Sequence, residues 1–252
     1  MIQLNSFTLI QVTGEKAQVF LQGQLTCDMR LLSEHGSSSL AAICDPKGRM
    51  IANFWVVNFH QDYLLILPRS LSDTLINHLS KYAVFSKVHV TRYSGDLKIY
   101  ASHHHQANKN IIVVNFKNSN RNIVLTTEIF STVSDDESVF RTDNIREQFC
   151  ILYPETSLLF IPQMINLQNW GGVSFEKGCY VGQEIVARTQ HLGTLKRHLH
   201  YLKLSQSNIP SPGDKLNNTA GDIIGVFVDA TLTSPNQIEA LVVIQDQAVS
   251  GL

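Results

Sequence analysis

The spacing of hydrophobic residues predicts a first group of elements near the start of the chain. The apolar run at 7–12 predicts a strand, and apolar residues at helical spacing within 17–21 predict a short helix that ends near Gly23. Two longer apolar runs flank the sequence Asp-Pro-Lys-Gly at 45–48. Because this sequence favours a tight turn, we expect a β-hairpin there.

The middle of the chain alternates predicted strands with two predicted helices. Leucines at helical spacing predict a helix that starts at Ser70, and a second helix is predicted over 143–152. Strand-like runs surround the first helix and follow it, at 63–67, 84–91, 97–101, 111–116 and 123–126. This order predicts an α+β fold with helices on one face of an antiparallel sheet.

Helical spacing disappears after residue 195. Strand-like runs occur at 198–204, 223–228 and 238–244, and a polar loop occupies 205–213. The pattern predicts a small C-terminal β-barrel-like domain.

Composition mainly excludes classes of protein. The chain has 20 Lys and Arg against 21 Asp and Glu, so its charge as a whole gives no direct signal of nucleic-acid binding. No apolar run reaches the roughly 18 residues of a membrane span. No signal-peptide pattern opens the chain, so we expect a cytoplasmic protein.

Cysteines and histidines do not form a recognisable metal motif. The four cysteines, Cys27, Cys44, Cys150 and Cys179, are widely spaced and include no CxxC pair. Three consecutive histidines at 103–105 cannot share one face of a strand or helix, so we expect a solvated loop there. No metal is predicted.

Candidate chemistry is concentrated in the segment KGCYVGQE at 177–184. Helical spacing after this segment predicts a helix that begins close to Cys179. A thiol at a helix N-terminus meets the positive end of the helix dipole, and Lys177 adds a positive charge nearby. Cys179 is therefore a candidate reactive or ligand-binding thiol, with a small buried hydrophobic residue as the equal alternative.

KGCYVGQE resembles the signature of the YgfZ family, whose members are relatives of the glycine-cleavage T-protein, an aminomethyltransferase. Four other blocks resemble the family pattern at the same relative places, at 20–28 (FLQGQLTCD), 44–50 (CDPKGRM), 81–88 (KYAVFSKV) and 160–175 (FIPQMINLQNWGGVSF). The resemblance implies a three-domain, ring-like α+β fold of the aminomethyltransferase type with a central folate-binding hole.

The implied domains follow from the same resemblance. Residues 1–47 and 142–192 are assigned to a folate-binding-like domain, and residues 48–141 to a ferredoxin-like α+β domain. Residues 193–252 are assigned to the C-terminal β-barrel domain.

The resemblance also implies a function. It predicts a folate-binding accessory protein, rather than an enzyme, that supports iron–sulfur enzymes such as the radical enzymes that thiolate tRNA. The functional cysteine of the signature falls on Cys179, with Lys177 beside it. The implied cofactor is tetrahydrofolate or another folate. The expected folate contacts are Phe7, Gln163, Trp170, Tyr180, Gln183, Glu184 and Arg188.

Several positions depart from the relatives. The first tryptophan that the family associates with folate falls on Phe7, which is still aromatic, but the second falls near Asn144. The folate-gripping glutamate of the T-protein falls near Cys150, and residues 48–53 hold no carboxylate in place of its aspartate. Without that charge a developing cation on the aminomethyl carrier loses electrostatic support. Folate-dependent aminomethyl transfer is therefore the alternative function.

A cysteine hydrolase and a plain interaction scaffold are two further hypotheses with weaker support. A hydrolase would pair Cys179 with a histidine such as His191, but the sequence shows no pattern for an orienting residue. A scaffold would need no reactive thiol. A basic cluster around Arg188 and Lys196 is either a solvated surface or a contact for phosphate or a folate glutamyl tail.

Overall fold

A computed structural model describes the chain over residues 1–103 and 106–251, with side chains described up to residue 248. The predicted loop of three histidines therefore lies partly outside the described residues, at His104 and His105. His103 ends a strand and has an exposed side chain.

Within the described residues the elements follow one another in this order. The strands are β1 (Ile2–Gln3), β2 (Phe7–Thr13), β3 (Ser38–Cys44), β4 (Met50–Phe59), β5 (Asp62–Pro68), β6 (His89–Arg92), β7 (Lys98–His103), β8 (Ile111–Asn115), β9 (Arg121–Thr126), β10 (Arg197–Leu204), β11 (Lys215–Asn217), β12 (Ile223–Ser234) and β13 (Gln237–Gln245). The α-helices are α1 (Ala17–Gln22), α2 (Ser72–Ala83), α3 (Ser138–Arg146) and α4 (Gln183–His191).

The strands form three antiparallel sheets. The first has the order β3-β4-β5-β2-β6, the second β1-β7-β9-β8, and the third β10-β13-β12-β11. The predicted α+β architecture is thus confirmed. The C-terminal sheet is open, with β10 and β11 at its edges, so its four strands do not form a closed barrel.

The predicted hairpin at 45–48 is confirmed as the turn between β3 and β4. The Asp45 carboxylate accepts hydrogen bonds from the backbone N–H groups of Lys47 (2.9 Å) and Arg49 (2.8 Å). Gly48 has a φ of +73°, which favours glycine. β4 and β5 are buried along almost their whole length, which explains their continuous apolar sequences.

Two predicted elements are wrong in extent. The helix predicted over 143–152 is α3, which ends at Arg146 because Gln148 turns into the left-handed region with a φ of +57°. The backbone N–H of Phe149 then bonds back to the carbonyl of Asn144 (2.8 Å), which closes the helix end without a glycine. The strand predicted over 84–91 is only β6, since residues 84–86 form a 3₁₀ turn.

Two ion pairs fasten α3 to the C-terminal sheet. Arg141 donates to the carboxylate of Asp229 (2.6 Å from Nε), and Arg146 donates to that of Glu239 (2.7 Å from Nε). Both carboxylates are almost fully buried. Because a buried charge needs its partner, these pairs fix the position of the sheet against the helix.

The predicted division into three domains stays a prediction. Its boundary at residue 48 falls within the hairpin of β3 and β4, whose strands share one sheet. No helix in the described part of the chain is long and apolar enough to cross a membrane.

Two glycines allow this hairpin to pack against the start of α4. Gly182 has a φ of +84°, and a Cβ atom there would lie 2.5 Å from the carbonyl oxygen of Asp45. A Cβ atom on Gly48 would lie 3.0 Å from the side chain of Ile185. The sequence blocks CDPKGRM and KGCYVGQE are therefore in direct backbone contact.

Replacing Gly182 by alanine is expected to destabilise the protein. The left-handed backbone costs about 1 kcal/mol for an L-residue, and the overlap with the Asp45 carbonyl raises the expected loss to about 2–4 kcal/mol. Urea unfolding measures the change. Gly178→Ala is the matched control in the same loop, since its added Cβ atom meets nothing within 4 Å. Equal stability of the two variants would contradict this account.

Candidate functional site

The ammonium group of Lys177 holds the KGCYVGQE loop in place. Lys177 is buried, and its Nζ donates to the carbonyl oxygens of Gln22 (2.7 Å), Leu25 (2.6 Å) and Cys27 (2.7 Å). Burial lowers the pKa of Lys177 to about 8. The three acceptors favour the ammonium form, because a neutral amine has only two N–H groups.

Lys177 therefore does not direct its charge towards Cys179, which corrects the expectation from the sequence. The ammonium is engaged by the loop at 22–27, where it joins the block FLQGQLTCD to the block KGCYVGQE. The ring of Tyr180 covers the same ammonium, with its centroid 5.1 Å from Nζ.

Cys179 lies between these anchors with an exposed side chain. Lys177 and Tyr180 are both buried, and the N–H of Val181 donates to the carbonyl of Gly23 (3.3 Å). The loop thus presents the sulfur to solvent from a fixed backbone.

The expected helix start at Cys179 is wrong. The first residue of α4 is Gln183, four positions later, and Gly182 is its N-cap in the left-handed conformation. The apolar spacing of the helix continues backwards into the loop, which is why the sequence predicts too early a start. The dipole of α4 begins beyond the thiol, so its effect on Cys179 is weak.

The other three cysteines differ sharply from Cys179. Cys27, Cys44 and Cys150 are all buried, and none of the four is in a disulfide. Burial raises the pKa of Cys27 and of Cys44 to about 12, and it raises that of Cys150 well above its ordinary value. These three thiols are core residues.

Two of the predicted ligand residues near the motif, Gln163 and Gln183, bond to local backbone groups. Gln183 Nε2 donates to the carbonyl of Lys177 (3.5 Å), while Glu184 and Arg188 are exposed on α4. Gln163 is buried, and its Nε2 donates to the carbonyl of Val186 (2.7 Å). Its Oε1 is buried without a hydrogen-bond partner among the described residues.

A cavity of about 660 Å³ lies elsewhere, among the starts of β2 and α3 and the strand β12. Its walls combine aromatic rings with hydrogen-bonding side chains. The lining includes Phe7, Phe140, Tyr153, Glu137, Arg141 and Asn144. The rings of Phe7 and Phe140 meet edge to face, with centroids 5.8 Å apart.

The polar groups of this cavity are held in fixed orientations. The Glu137 carboxylate accepts from the backbone N–H of Ser6 (2.8 Å) and from the Ser6 hydroxyl. Asn144 Oδ1 accepts from Arg121 Nη1 (2.7 Å), which leaves its amide nitrogen as a donor. Arg141 is neutralised by Asp229. A ligand therefore meets the carboxylate of Glu137 and the amide donor of Asn144. A second carboxylate, Asp135, also lines the cavity and accepts from Asn5 Nδ2 (3.3 Å).

The structure separates the predicted site residues into different places. Phe7 lines the 660 Å³ cavity, whereas Trp170 lines a smaller cavity of about 190 Å³ and packs on Phe149 with ring centroids 5.0 Å apart. The remaining predicted folate contacts lie on the segment 163–188, which takes no part in the lining of the larger cavity. The thiol of Cys179 is likewise outside it.

Sequence reasoning misses Glu137 and Arg141 as cavity residues. The acidic stretch at 134–138 is visible in the sequence, but its pattern predicts only a loop. The sequence does carry one signal, because this acidic stretch lies directly before a helix. The sequence pattern predicts that this helix starts at 143 rather than at Ser138, so this signal is missed.

Asn53 lies in the segment 48–53, where the sequence resemblance predicts the loss of an aspartate. Its Nδ2 donates to the carbonyl of Cys150 (2.7 Å), and its Oδ1 accepts from the N–H of Leu152 (2.8 Å). The side chain is buried and satisfied by backbone groups alone. It is therefore a structural bridge.

A metal site is not formed by the described side chains. No group of three or more His, Cys, Asp or Glu residues among them is arranged to hold a metal ion. His103 lies 3.6 Å from a carboxylate oxygen of Asp143 at the surface.

Comparison with curated proteins finds relatives over most of the chain, although no protein-family model matches it. The tRNA-modifying protein YgfZ of Enterobacter sp. (strain 638) is 32% identical, over 88% of this chain and 77% of the relative. Its namesake in Cronobacter sakazakii (strain ATCC BAA-894) is 30% identical, over 100% of this chain and 86% of the relative. The one in Aliivibrio fischeri (strain MJ11) is 31% identical, over 87% and 76%.

Comparison with solved structures confirms the predicted aminomethyltransferase-type fold. The crystal structure of glycine cleavage system aminomethyltransferase T from Bartonella henselae matches with a TM-score of 0.72. The match covers 97% of this chain and 77% of that chain at 14% sequence identity. At this identity the likeness establishes a common fold.

Selective thiol labelling is expected to distinguish Cys179 from the other cysteines. The folded protein should react rapidly with Ellman's reagent at one thiol, because the other three are buried and disfavour the thiolate. All four should react in guanidinium chloride. Cys179→Ala should abolish the rapid reaction and Cys44→Ala should preserve it. Rapid labelling of the Cys179→Ala protein would refute this assignment.

Proposed function

This chain belongs to the YgfZ family, and from that membership we propose that it is a folate-binding accessory protein of the cytoplasm. Its proposed role is to support iron–sulfur enzymes, including radical enzymes that thiolate tRNA, through the thiol of Cys179. The relatives carry the name tRNA-modifying protein, which supports the link to tRNA. The folate, the iron–sulfur clients and the role of the thiol are the proposed parts.

The cavity of about 660 Å³ is the observation that carries the folate proposal. Sites for small molecules commonly measure about 300–1,000 Å³ and combine apolar walls with a few fixed polar groups. The pterin head of a folate is flat and has N–H groups along one edge. Phe7 and Phe140 offer aromatic contact, and the carboxylate of Glu137 accepts from N–H donors.

Asn144 adds a second polar group that suits the pterin head. Its amide nitrogen is free to donate to a carbonyl of the heterocycle, while Arg121 fixes the amide through Oδ1. A carboxylate and an amide donor together suit a ring that has both donors and acceptors. Tetrahydrofolate, or another folate with the same head group, is thus the proposed ligand, and its binding would supply a bound one-carbon carrier.

The exposure of Cys179 supports a role towards a macromolecular partner. The sulfur is accessible, its flanking residues are anchored, and it lies outside the cavity lining. A thiol placed in this way can meet a client protein or its cluster without entering the ligand cavity. This arrangement favours an accessory role over chemistry on the folate.

The alternative of aminomethyl transfer finds less support. That reaction would use a carboxylate in the segment 48–53 to support the cation that develops on the carrier, but this segment holds none. The amide of its Asn53 is fully used by backbone groups. A hydrolase that pairs Cys179 with His191 is also less favoured, because the ring of His191 packs on Phe175. A plain interaction scaffold would need no thiol, so the Cys179→Ala variant distinguishes it from the proposed function.

Folate binding is expected to depend on Glu137. Calorimetric titration with tetrahydrofolate should show binding to the wild-type protein, and Glu137→Gln should weaken it about tenfold by removing one charge-assisted acceptor. Asp136→Asn is the matched control, because Asp136 is in the same acidic stretch but outside the cavity lining. No binding to the wild type at millimolar ligand would exclude the folate proposal.

The proposed thiol function is tested in cells that lack the endogenous protein. We expect Cys179→Ala to lose most of the restored tRNA thiolation while its free energy of unfolding stays unchanged, because the side chain is exposed. Thiolated nucleosides are measured by mass spectrometry, with Gly178→Ala as the loop control. Full restoration by Cys179→Ala would favour the scaffold.

A further inference from the structure

The turn between α2 and β6 carries a highly exposed aromatic side chain. Phe85 is 90% exposed, and its neighbour Val84 is 75% exposed. Tyr82, near the end of α2, is 42% exposed. We call Tyr82, Val84 and Phe85, with Lys81 and Lys87, the α2 tip.

The α2 tip is anchored at both ends although its side chains project into solvent. Ala83 and Val88 are buried on either side of the exposed residues, and the N–H of Val88 bonds to the carbonyl of Ala83 (3.4 Å). Lys87 closes the turn in the left-handed conformation, with a φ of +54°. The exposed apolar groups therefore project from a turn that is anchored on both sides, and they contribute little to the fold.

The charge around the tip is one-sided. The sequence contains no Asp or Glu between Asp73 and Asp96. Asp73 is paired with Arg92 (2.5 Å), so it does not neutralise Lys81 or Lys87. Neither lysine has a carboxylate partner among the described residues.

The neighbouring turn at 14–16 does not change the positive charge around the α2 tip. The backbone of Gly14 packs against the carbonyl of Lys87. It brings one exposed carboxylate, Glu15, and one exposed ammonium, Lys16, to the same side of the molecule. The near-zero charge of the whole chain thus conceals a local cationic surface.

We propose that the α2 tip binds unpaired bases and adjacent phosphates of RNA. An exposed aromatic ring flanked by cations is the combination that stacks a base while neutralising the backbone. A protein-binding face would more often be depleted in lysine, whereas this surface carries two lysines without a carboxylate partner among the described residues. Within the proposed function, on which it rests, this inference gives the link to tRNA a direct contact surface.

The inference is tested by fluorescence anisotropy with a fluorescein-labelled transcript of an unmodified tRNA. The wild-type protein should bind, with an affinity that falls as salt is added. Phe85→Ala should weaken binding about tenfold, since stacking of one base is lost. Because Phe85 is 90% exposed, this variant should fold normally, which thermal unfolding checks.

Charge reversal provides the second arm. Lys81→Glu with Lys87→Glu should weaken binding at least tenfold and lower the slope of log K against log salt by about 1.4, if each lysine neutralises one phosphate. Ile129→Ala is the matched control for Phe85→Ala. Ile129 is also highly exposed (81%), but its neighbour Glu128 is acidic, so its loss should leave RNA binding unchanged. A fully paired RNA duplex should compete poorly, since its bases are not available for stacking.

The outcomes separate this inference from the folate proposal. Failure of the wild type to bind the transcript at low salt, equal binding by Phe85→Ala, or equal competition by the duplex would each overturn it. If Phe85→Ala lost tRNA thiolation in cells while its RNA binding stayed unchanged, the tip would be a protein-docking surface. That result would also overturn the inference. Tetrahydrofolate titration of Phe85→Ala should match the wild type, so either proposal can fail alone.

Discussion

The buried ammonium of Lys177 is the constraint on which the motif depends. It satisfies three carbonyl oxygens of a loop that is distant in the sequence. Each of these oxygens, if left buried and unpaired, would cost about 1–3 kcal/mol. A side chain with three donors on one atom and a long apolar stem meets this need, and arginine would not fit the same convergent geometry. The exposed position of Cys179 follows from this internal contact.

A second set of charges shapes the cavity. Arg141 belongs to the cavity wall and to the ion pair with Asp229, so the wall and the attachment of the C-terminal sheet share one side chain. The hydroxyl of Tyr153 also bonds to Asp229, and burial raises the pKa of Tyr153. Any movement of the sheet against α3 would therefore change the cavity. The shape of the cavity and the packing of the C-terminal sheet are linked through Arg141.

The sequence predicts elements well where the determinants are local, and poorly where they are not. The turn at 45–48 is predictable because its own aspartate caps its own backbone. The end of α3 is not, because Gln148 adopts a conformation that sequence rules expect of glycine. The cavity is also out of reach, since its walls come from β2, α3 and β12, which meet only through tertiary packing. The resemblance points to Phe7 as a cavity residue, but it marks Asn144 only as the place of a missing tryptophan. It also cannot show that the ammonium of Lys177 is held by the loop at 22–27.

The burial of three cysteines has a consequence for oxidation chemistry. If peroxide converts Cys179 to a sulfenic acid, no resolving thiol is available on the surface of the same folded chain. An internal disulfide cannot form without opening the core, where Cys27, Cys44 and Cys150 are enclosed. Recovery then falls to an external thiol such as glutathione, or to a cysteine of another protein. An oxidised Cys179 in the folded chain would therefore form a mixed disulfide with another molecule, and its reduction would depend on that molecule.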